Sequence, residues 1–312
     1  MQVAEELAAV APNRHTLLTI GVFDGVHVGH QYLFGELRKQ AEERGFLGGV
    51  VTFRQHPQTV LKPQSQVSYL TTLEERTRLI RNLGIEIVAA LSFTPQLSQL
   101  SARQFVLLLK EYLKMRGLVI GPDFTLGRGR EGDAAYLSAL GQELDFSVDV
   151  VQPFKRNDET VSSTAIREAL ARGDVAKVTK FLGRNFSLSG PVVRGVERGR
   201  TLGFPTANLA VNSKQALPAD GVYVTRVYIT DSTYKAVVNI GMRPTFGEED
   251  RTIEVFLLDF RGDLYGEEIK VELVERLRAE RKFDSADELK AQINKDVERA
   301  RAILDGTANH GQ

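Results

Sequence analysis

Residues 17 to 31, Leu-Leu-Thr-Ile-Gly-Val-Phe-Asp-Gly-Val-His-Val-Gly-His-Gln, pass from an apolar run of strand type through glycines into helical spacing. A strand that turns directly into a helix has to be followed by a crossover if the next strand is to lie beside it, and the sequence repeats that pattern. Gln31 to Arg44 has helical spacing with Gly45 as its stop, Gly49 to Phe53 reads as a strand, Leu73 to Leu83 as a helix and Ile85 to Leu91 as a strand. Ala102 to Met115 is a further helix, and Leu118 to Ile120 and Val148 to Val151 are short strands. The alternation predicts an α/β, doubly wound parallel sheet whose ligands lie beyond the carboxyl ends of the strands.

The first of those strand ends carries His27 and His30 where a helix begins. Unpaired N–H groups and the helix dipole favour an anion there, and two imidazoles add to the positive end. A His-x-x-His pair also suits zinc, but a chain with no cysteine and five histidines has few further ligands to complete a site. A purely structural turn is the plain alternative, and a nucleotide triphosphate is the favoured reading.

Phe23-Asp24-Gly25-Val26-His27-Val28-Gly29-His30 resembles the HxGH signature of the nucleotidyltransferase superfamily, in the longer form of the bacterial bifunctional riboflavin kinase/FAD synthetase family. The resemblance implies that Phe23, Asp24 and Gly25 shape a substrate pocket and that His27 and His30 act in it as electrostatic clamps. Residues 121 to 133 contain a literal GxGxxG at Gly127, Gly129 and Gly132, but it lies late in the domain and does not follow its strand at once, so it is no dinucleotide fingerprint. A glycine-rich surface loop competes here with a substrate loop. The resemblance favours the latter, with Asp123, Phe124 and Gly127 in contact with flavin or nucleotide.

Ser162-Ser163-Thr164-Ala165-Ile166-Arg167 begins another helix. Hydroxyls there are ordinary caps, whereas Arg167 in a first turn opposes the dipole unless an anion is near. The segment is similar to the family's SSTxIR motif, which implies that Ser162, Ser163, Thr164 and Arg167 hold the triphosphate. Two departures stand out: Leu126 occupies a usually aromatic position, and Gln55-His56-Pro57 replaces Pro-His-Pro. Both are expected to trim the wall around a flavin ring.

Near Gly183 the periodicity changes, so the chain is divided into domains at 1–184 and 185–312. Strand-like runs without intervening helices follow (Ser187 to Val193, Ala207 to Val211, Gly221 to Ile229, Tyr234 to Ile240, Ile253 to Phe260, Glu268 to Leu273), predicting a small antiparallel β-barrel. Ser285 and Glu288 form a capping box for one C-terminal helix with a stripe of Leu289, Ile293, Val297 and Leu304.

Between the first two of these strands, the glycines and arginines of Arg198 to Asn208 suit a phosphate, and Thr206 and Asn208, two apart in an extended segment, present two hard oxygens on one side. An Asx or Ser/Thr turn is the alternative. The stretch resembles the GxxxGRxLGFPTAN block of riboflavin kinase, implying substrate contacts from Gly199, Arg200, Gly203 and Pro205 and Mg²⁺ ligation by Thr206 and Asn208. Glu254 falls in a strand apolar on both faces, so it is expected either compensated or at the barrel mouth, with raised basicity, and simple solvent exposure at a strand start is the equal alternative. Similarity to the family's E-V-x-L-L-D-F strand implies that it is the general base. Asn239 to Thr245 and Leu277 to Phe283 match further family blocks, and Arg278 in the latter is assigned to the flavin side.

The resemblance thus implies ATP-dependent phosphorylation of riboflavin to FMN by the barrel and adenylylation of FMN to FAD by the N-terminal domain, with Mg²⁺ as cofactor. The alternatives are a kinase with a weak N-terminal domain and a non-catalytic flavin or nucleotide sensor. Lysines plus arginines equal aspartates plus glutamates at 40 each, which argues against a nucleic-acid partner. The start lacks a secretory signal, no stretch of about 20 apolar residues spans a bilayer, and the absence of cysteine fits the cytoplasm.

Overall fold

The computed structural model describes residues 2–62, 64–156, 159–194, 203–242 and 251–306. Gly199 and Arg200, expected at a phosphate, lie outside them. By backbone proximity the chain forms two compact units, Met1–Ser163 and Thr164–Gln312.

In the first unit the elements run α1 (Gln2–Ala8), β1 (Thr16–Ile20), α2 (Val28–Glu43), β2 (Leu47–Phe53), α3 (Pro57–Leu61), α4 (Leu73–Asn82), β3 (Ile87–Leu91), α5 (Pro95–Ser98), α6 (Ala102–Leu113), β4 (Met115–Ile120), α7 (Ala134–Leu144) and β5 (Ser147–Val150), then the two-residue strands β6 (Lys155–Arg156) and β7 (Glu159–Thr160). The five main strands pair in parallel in the order β3-β2-β1-β4-β5, the expected doubly wound sheet. Because side chains alternate along a strand, Leu17 and Leu18 face opposite ways. Leu17 joins Phe34 and Leu37 of α2 and Ile80 of α4, while Leu18 joins Phe105 and Leu109 of α6 and Leu137 of α7. The strand order reverses between β1 and β4, so the ligand crevice of such a sheet opens at the end of β1.

α1 and α7 were not anticipated. Val3 and Leu7 of α1 and Leu137 and Leu140 of α7 are buried, but the segments are too short, or too rich in alanine and glycine, for a strong period. α2 begins three residues earlier than its spacing suggests, because His27 acts as its N-cap.

In the second unit, α8 (Ser163–Arg172, whose first residue belongs to the first unit) and α9 (Val175–Leu182) precede a barrel of β8 (Ser187–Val193), β9 (Ala207–Leu209), β10 (Gly221–Ile229), β11 (Ser232–Met242), β12 (Arg251–Leu257) and β13 (Glu268–Arg278), followed by α10 (Ala286–Gly306). The strands close antiparallel in the order β10-β11-β12-β9-β8-β13. Val224, Val237 and Val222 face outward beneath Ala300 and Leu304 of α10, while Tyr223, Val238, Val255 and Leu273 are fully enclosed on the other face. Ser285 Oγ accepts the Glu288 N–H, but the Glu288 carboxylate reaches back to the Asp284 N–H instead of closing the box on Ser285.

Candidate active sites

The turn after β1 is held in an uncommon backbone form: Phe23, Gly25 and Val26 all have positive φ, at 52°, 80° and 41°. Such strain in a non-glycine residue persists only where the surroundings fix it. Asp24, 2% exposed, supplies much of that fixing by accepting the N–H groups of Leu70 and Thr71 at 3.0 and 3.1 Å, and Thr71 Oγ1 receives the Gly25 N–H. Phe23 is buried edge-on to Phe34 and His30. Asp24 and Phe23 therefore serve the shape of the turn.

His27 Nδ1 accepts the backbone N–H of His30 at 3.3 Å, so the neutral ring carries its proton on Nε2. The two rings are stacked, with centroids 3.5 Å apart. The two histidines expected as electrostatic clamps differ in their surroundings. His30 Nδ1 is enclosed without a hydrogen-bond partner, and burial, then the nearby His27 and Arg76, hold its pKa well below the ordinary 6.5, so the ring is neutral at neutral pH. Gly29 belongs to the same arrangement, since a Cβ there would stand 3.2 Å from the His27 ring.

Ser163 Oγ donates to the Asp24 carbonyl at 2.9 Å, joining the start of α8 to the turn across 139 residues. Arg167 follows one turn into α8, in the second unit, with Ser162 just before the helix and Thr164 exposed at its start.

The glycine-rich loop is closed on itself and packed against α6. Leu126 and Gly132 exchange both backbone hydrogen bonds, and a Cβ on Gly127, which has φ 79°, would lie 2.5 Å from the Ala102 nitrogen of α6. Gly127 is thus required by packing. Leu126, read from sequence as a gap in a ligand wall, is instead 8% exposed within the core, with Phe124 packed on the same cluster and Asp123 exposed. Gln55 donates to the Phe93 carbonyl and so ties down its own loop.

In the barrel, Asn208 of β9 pairs directly with Glu254 of β12, and Glu254 pairs in turn with Asn239 of β11. Direct antiparallel partners share a face with Cβ atoms about 4.5–5.5 Å apart, so Asn208, Glu254 and Asn239 form a polar row across three strands. The face is the outer one: Ile253, Val255 and Leu257 point into the barrel, and Glu254 is partly exposed. Of the readings open for Glu254, a compensated carboxylate, one at the barrel mouth or a solvent-exposed one, the structure has it partly exposed, because the strand's apolar residues divide between an inner core and an outer cluster. Phe204 packs edge-on to Phe256 at 5.4 Å, drawing the segment with exposed Gly203 and Pro205 onto the same outer face. Thr206 stands two residues before Asn208, immediately ahead of β9. Arg278 is engaged elsewhere: its Nη2 donates to Asp296 of α10 at 2.8 Å.

Two families match this chain, one described as FAD synthetase over residues 10–165 and one as riboflavin kinase over residues 182–304. The bifunctional riboflavin kinase/FMN adenylyltransferase of Escherichia coli K12 is 39% identical over 296 residues, 94% of each chain. The chain belongs to the bifunctional riboflavin kinase/FMN adenylyltransferase family. The member from Bacillus subtilis is 37% identical over 291 residues, covering 91% of both chains. A Streptococcus pneumoniae crystal structure, described as a macrolide-efflux protein, superposes with a TM-score of 0.88 at 34% identity, covering 95% of this chain and 96% of that one. Among the described residues no helix of this family member is long and apolar enough to cross a membrane.

Sequence reasoning missed Arg76. It sits on α4, 1% exposed, with Nη2 donating to the Phe53 carbonyl at the end of β2 and with Nε and Nη1 unpartnered. Burial lowers its pKa and Asp24 opposes that shift. An arginine in a helix with charged neighbours reads as surface, so no local signal marked it. The role of Asn239 was also hidden, since it depends on cross-strand register.

Proposed function

We infer that this chain performs both reactions for which its family is named: phosphorylation of riboflavin by ATP to give FMN, and adenylylation of FMN by ATP to give FAD and pyrophosphate. ATP, riboflavin, FMN and FAD are its substrates and products. The direct pairing of Glu254 with Asn208 carries the assignment of the first reaction to the barrel's outer face.

There, Glu254 takes the proton of the riboflavin 5′-hydroxyl as that oxygen attacks the γ-phosphorus and ADP departs. Thr206 and Asn208 would hold Mg²⁺; two neutral oxygens beside a carboxylate and a phosphate chain suit a hard ion that keeps several waters. When bound, the ion supplies charge neutralisation at the transferring phosphate. Gly199, Arg200, Gly203 and Pro205 are assigned to ATP, and Arg278 supports the flavin side through its hold on α10.

In the parallel-sheet domain the FMN phosphate attacks the α-phosphorus and pyrophosphate leaves, which needs no covalent enzyme intermediate. His27 donates from Nε2 to the phosphates at the helix start, and His30, neutral beneath it, keeps that ring in place. Ser162, Ser163, Thr164 and Arg167 keep the triphosphate role that the resemblance implies; Asp123, Phe124 and Gly127 form one boundary of the flavin pocket. A functional boundary at 184/185 fits the two family matches, with α8 and α9 as a connecting pair. Absence of cysteine supports a cytoplasmic location.

The test is incubation with MgATP and either riboflavin or FMN, followed by chromatography of the flavins. Both FMN and FAD are expected from riboflavin. FMN without FAD would limit the chain to kinase activity, and neither product would leave only binding.

A further inference from the structure

We propose that Asn239 is a substrate-binding residue of the phosphoryl-transfer site and reads the hydroxyl next to the one that reacts. The inference rests on the placement of the kinase reaction at Glu254. Across β9, β12 and β11 the order is Asn208, Glu254, Asn239, with each pair in direct register. In-line displacement sets the leaving group, the phosphorus and the attacking oxygen in a row. With the phosphate chain on the Asn208 side and the base at the centre, the carbon chain that bears the attacking oxygen leaves toward Asn239. Neighbouring strands are about 4.8 Å apart, and the hydroxyl on the adjacent carbon of a polyol lies within reach of a carboxamide placed there.

Three further observations fit a polyol at this position. Val237, two residues earlier on the same face of β11, is buried under the C-terminal helix cluster, whereas Asn239 is partly exposed, so the cover ends where the polar row begins. No side-chain hydrogen bond from Asn239 or Glu254 to another described residue occupies these groups. Two residues onward, a Cβ on Gly241 would come within 2.6 Å of both Glu280 carboxylate oxygens, so the absence of a side chain admits a second acceptor onto this face. A carboxamide both donates and accepts, which suits a vicinal hydroxyl better than an apolar wall does.

The experiment compares riboflavin with 4′-deoxyriboflavin as acceptor for the unmodified chain, N239A and E254Q, with FAD formation from supplied FMN as the control for folding. The unmodified chain is expected to favour riboflavin at least tenfold in kcat/KM. N239A should fall on riboflavin to the level of the deoxy substrate, change little on the latter, and keep FAD formation. N239V, strand-favouring and unable to hydrogen-bond, gives the same comparison should N239A fold poorly. An equal loss on both acceptors would assign Asn239 to orienting Glu254 and overturn the inference, as would an unchanged preference. If E254Q keeps FMN formation, the site assignment falls and takes this inference with it. If E254Q is inactive while N239A still discriminates, this inference alone falls.

Discussion

Glu254 and Asn208 stand directly opposite one another in the antiparallel pairing of β12 with β9. The pairing brings a carboxylate and a neutral oxygen donor, 46 positions apart in sequence, to neighbouring places on one exposed face. If this is the phosphoryl-transfer site, Glu254→Gln should lower FMN formation by about 10²- to 10⁴-fold. FAD formation from supplied FMN should persist, and equal loss of both activities, measured by flavin chromatography, would contradict the separation of the sites.

His27→Ala removes both the cap on His30 N–H and the proposed phosphate donor. Loss of one such donor costs about 10²- to 10³-fold in rate. Pyrophosphate release from FMN and ATP should fall by that amount while riboflavin phosphorylation is unchanged. Undiminished FAD synthesis would remove His27 from the mechanism.

Gly29→Ala tests placement without removing a functional group. The added methyl would press on the His27 ring from 3.2 Å, so the ring must shift by a few tenths of an ångström. Since a misplacement of about 1 Å can cost 10²-fold, a drop of roughly tenfold in FAD synthesis is expected. Thermal stability should change little, because alanine is favoured over glycine within a helix.

Acid should weaken the first unit through His30. Its folded pKa lies below the unfolded 6.5, so below that value the unfolded chain binds a proton that the folded chain does not. The stability present above pH 6.5 is therefore lost progressively as the pH falls toward the folded pKa. Melting temperatures measured from pH 5 to 8 should show this decline, and His30→Asn should flatten it. An identical slope in the variant would place the titration elsewhere.

Asp296→Ala should destabilise the barrel by about 3 kcal/mol, because Arg278 would keep its partly buried charge without a partner. Denaturant unfolding followed in the second unit measures this. A change below about 0.5 kcal/mol would mean that solvent already satisfies the arginine.

The sequence was most legible where local chemistry and local periodicity coincide. His27 next to a glycine turn, the Thr206 and Asn208 pair, and the change from helical to strand spacing near Gly183 each show within a dozen residues. Less visible was anything set by partners distant in the chain. Leu126 read as a gap in a ligand wall because its packing against α6 is a tertiary fact, and Gly127 owes its φ to Ala102. Glu254 could be located on its strand, but which face was open depended on where α10 lay. Arg76 gave no signal at all, since a charged residue in a charged helix is normally solvated.

The bond from Ser163 to the Asp24 carbonyl also bears on the order in which the molecule is made. A chain emerging from the ribosome presents this turn first, yet the far side of the turn is not stitched until 139 further residues have been added. During that interval the two histidines would have a helix beneath them but no closing contact from α8. Nascent chains truncated before residue 163 are then the natural material for asking whether this pocket is assembled during translation or only at its end.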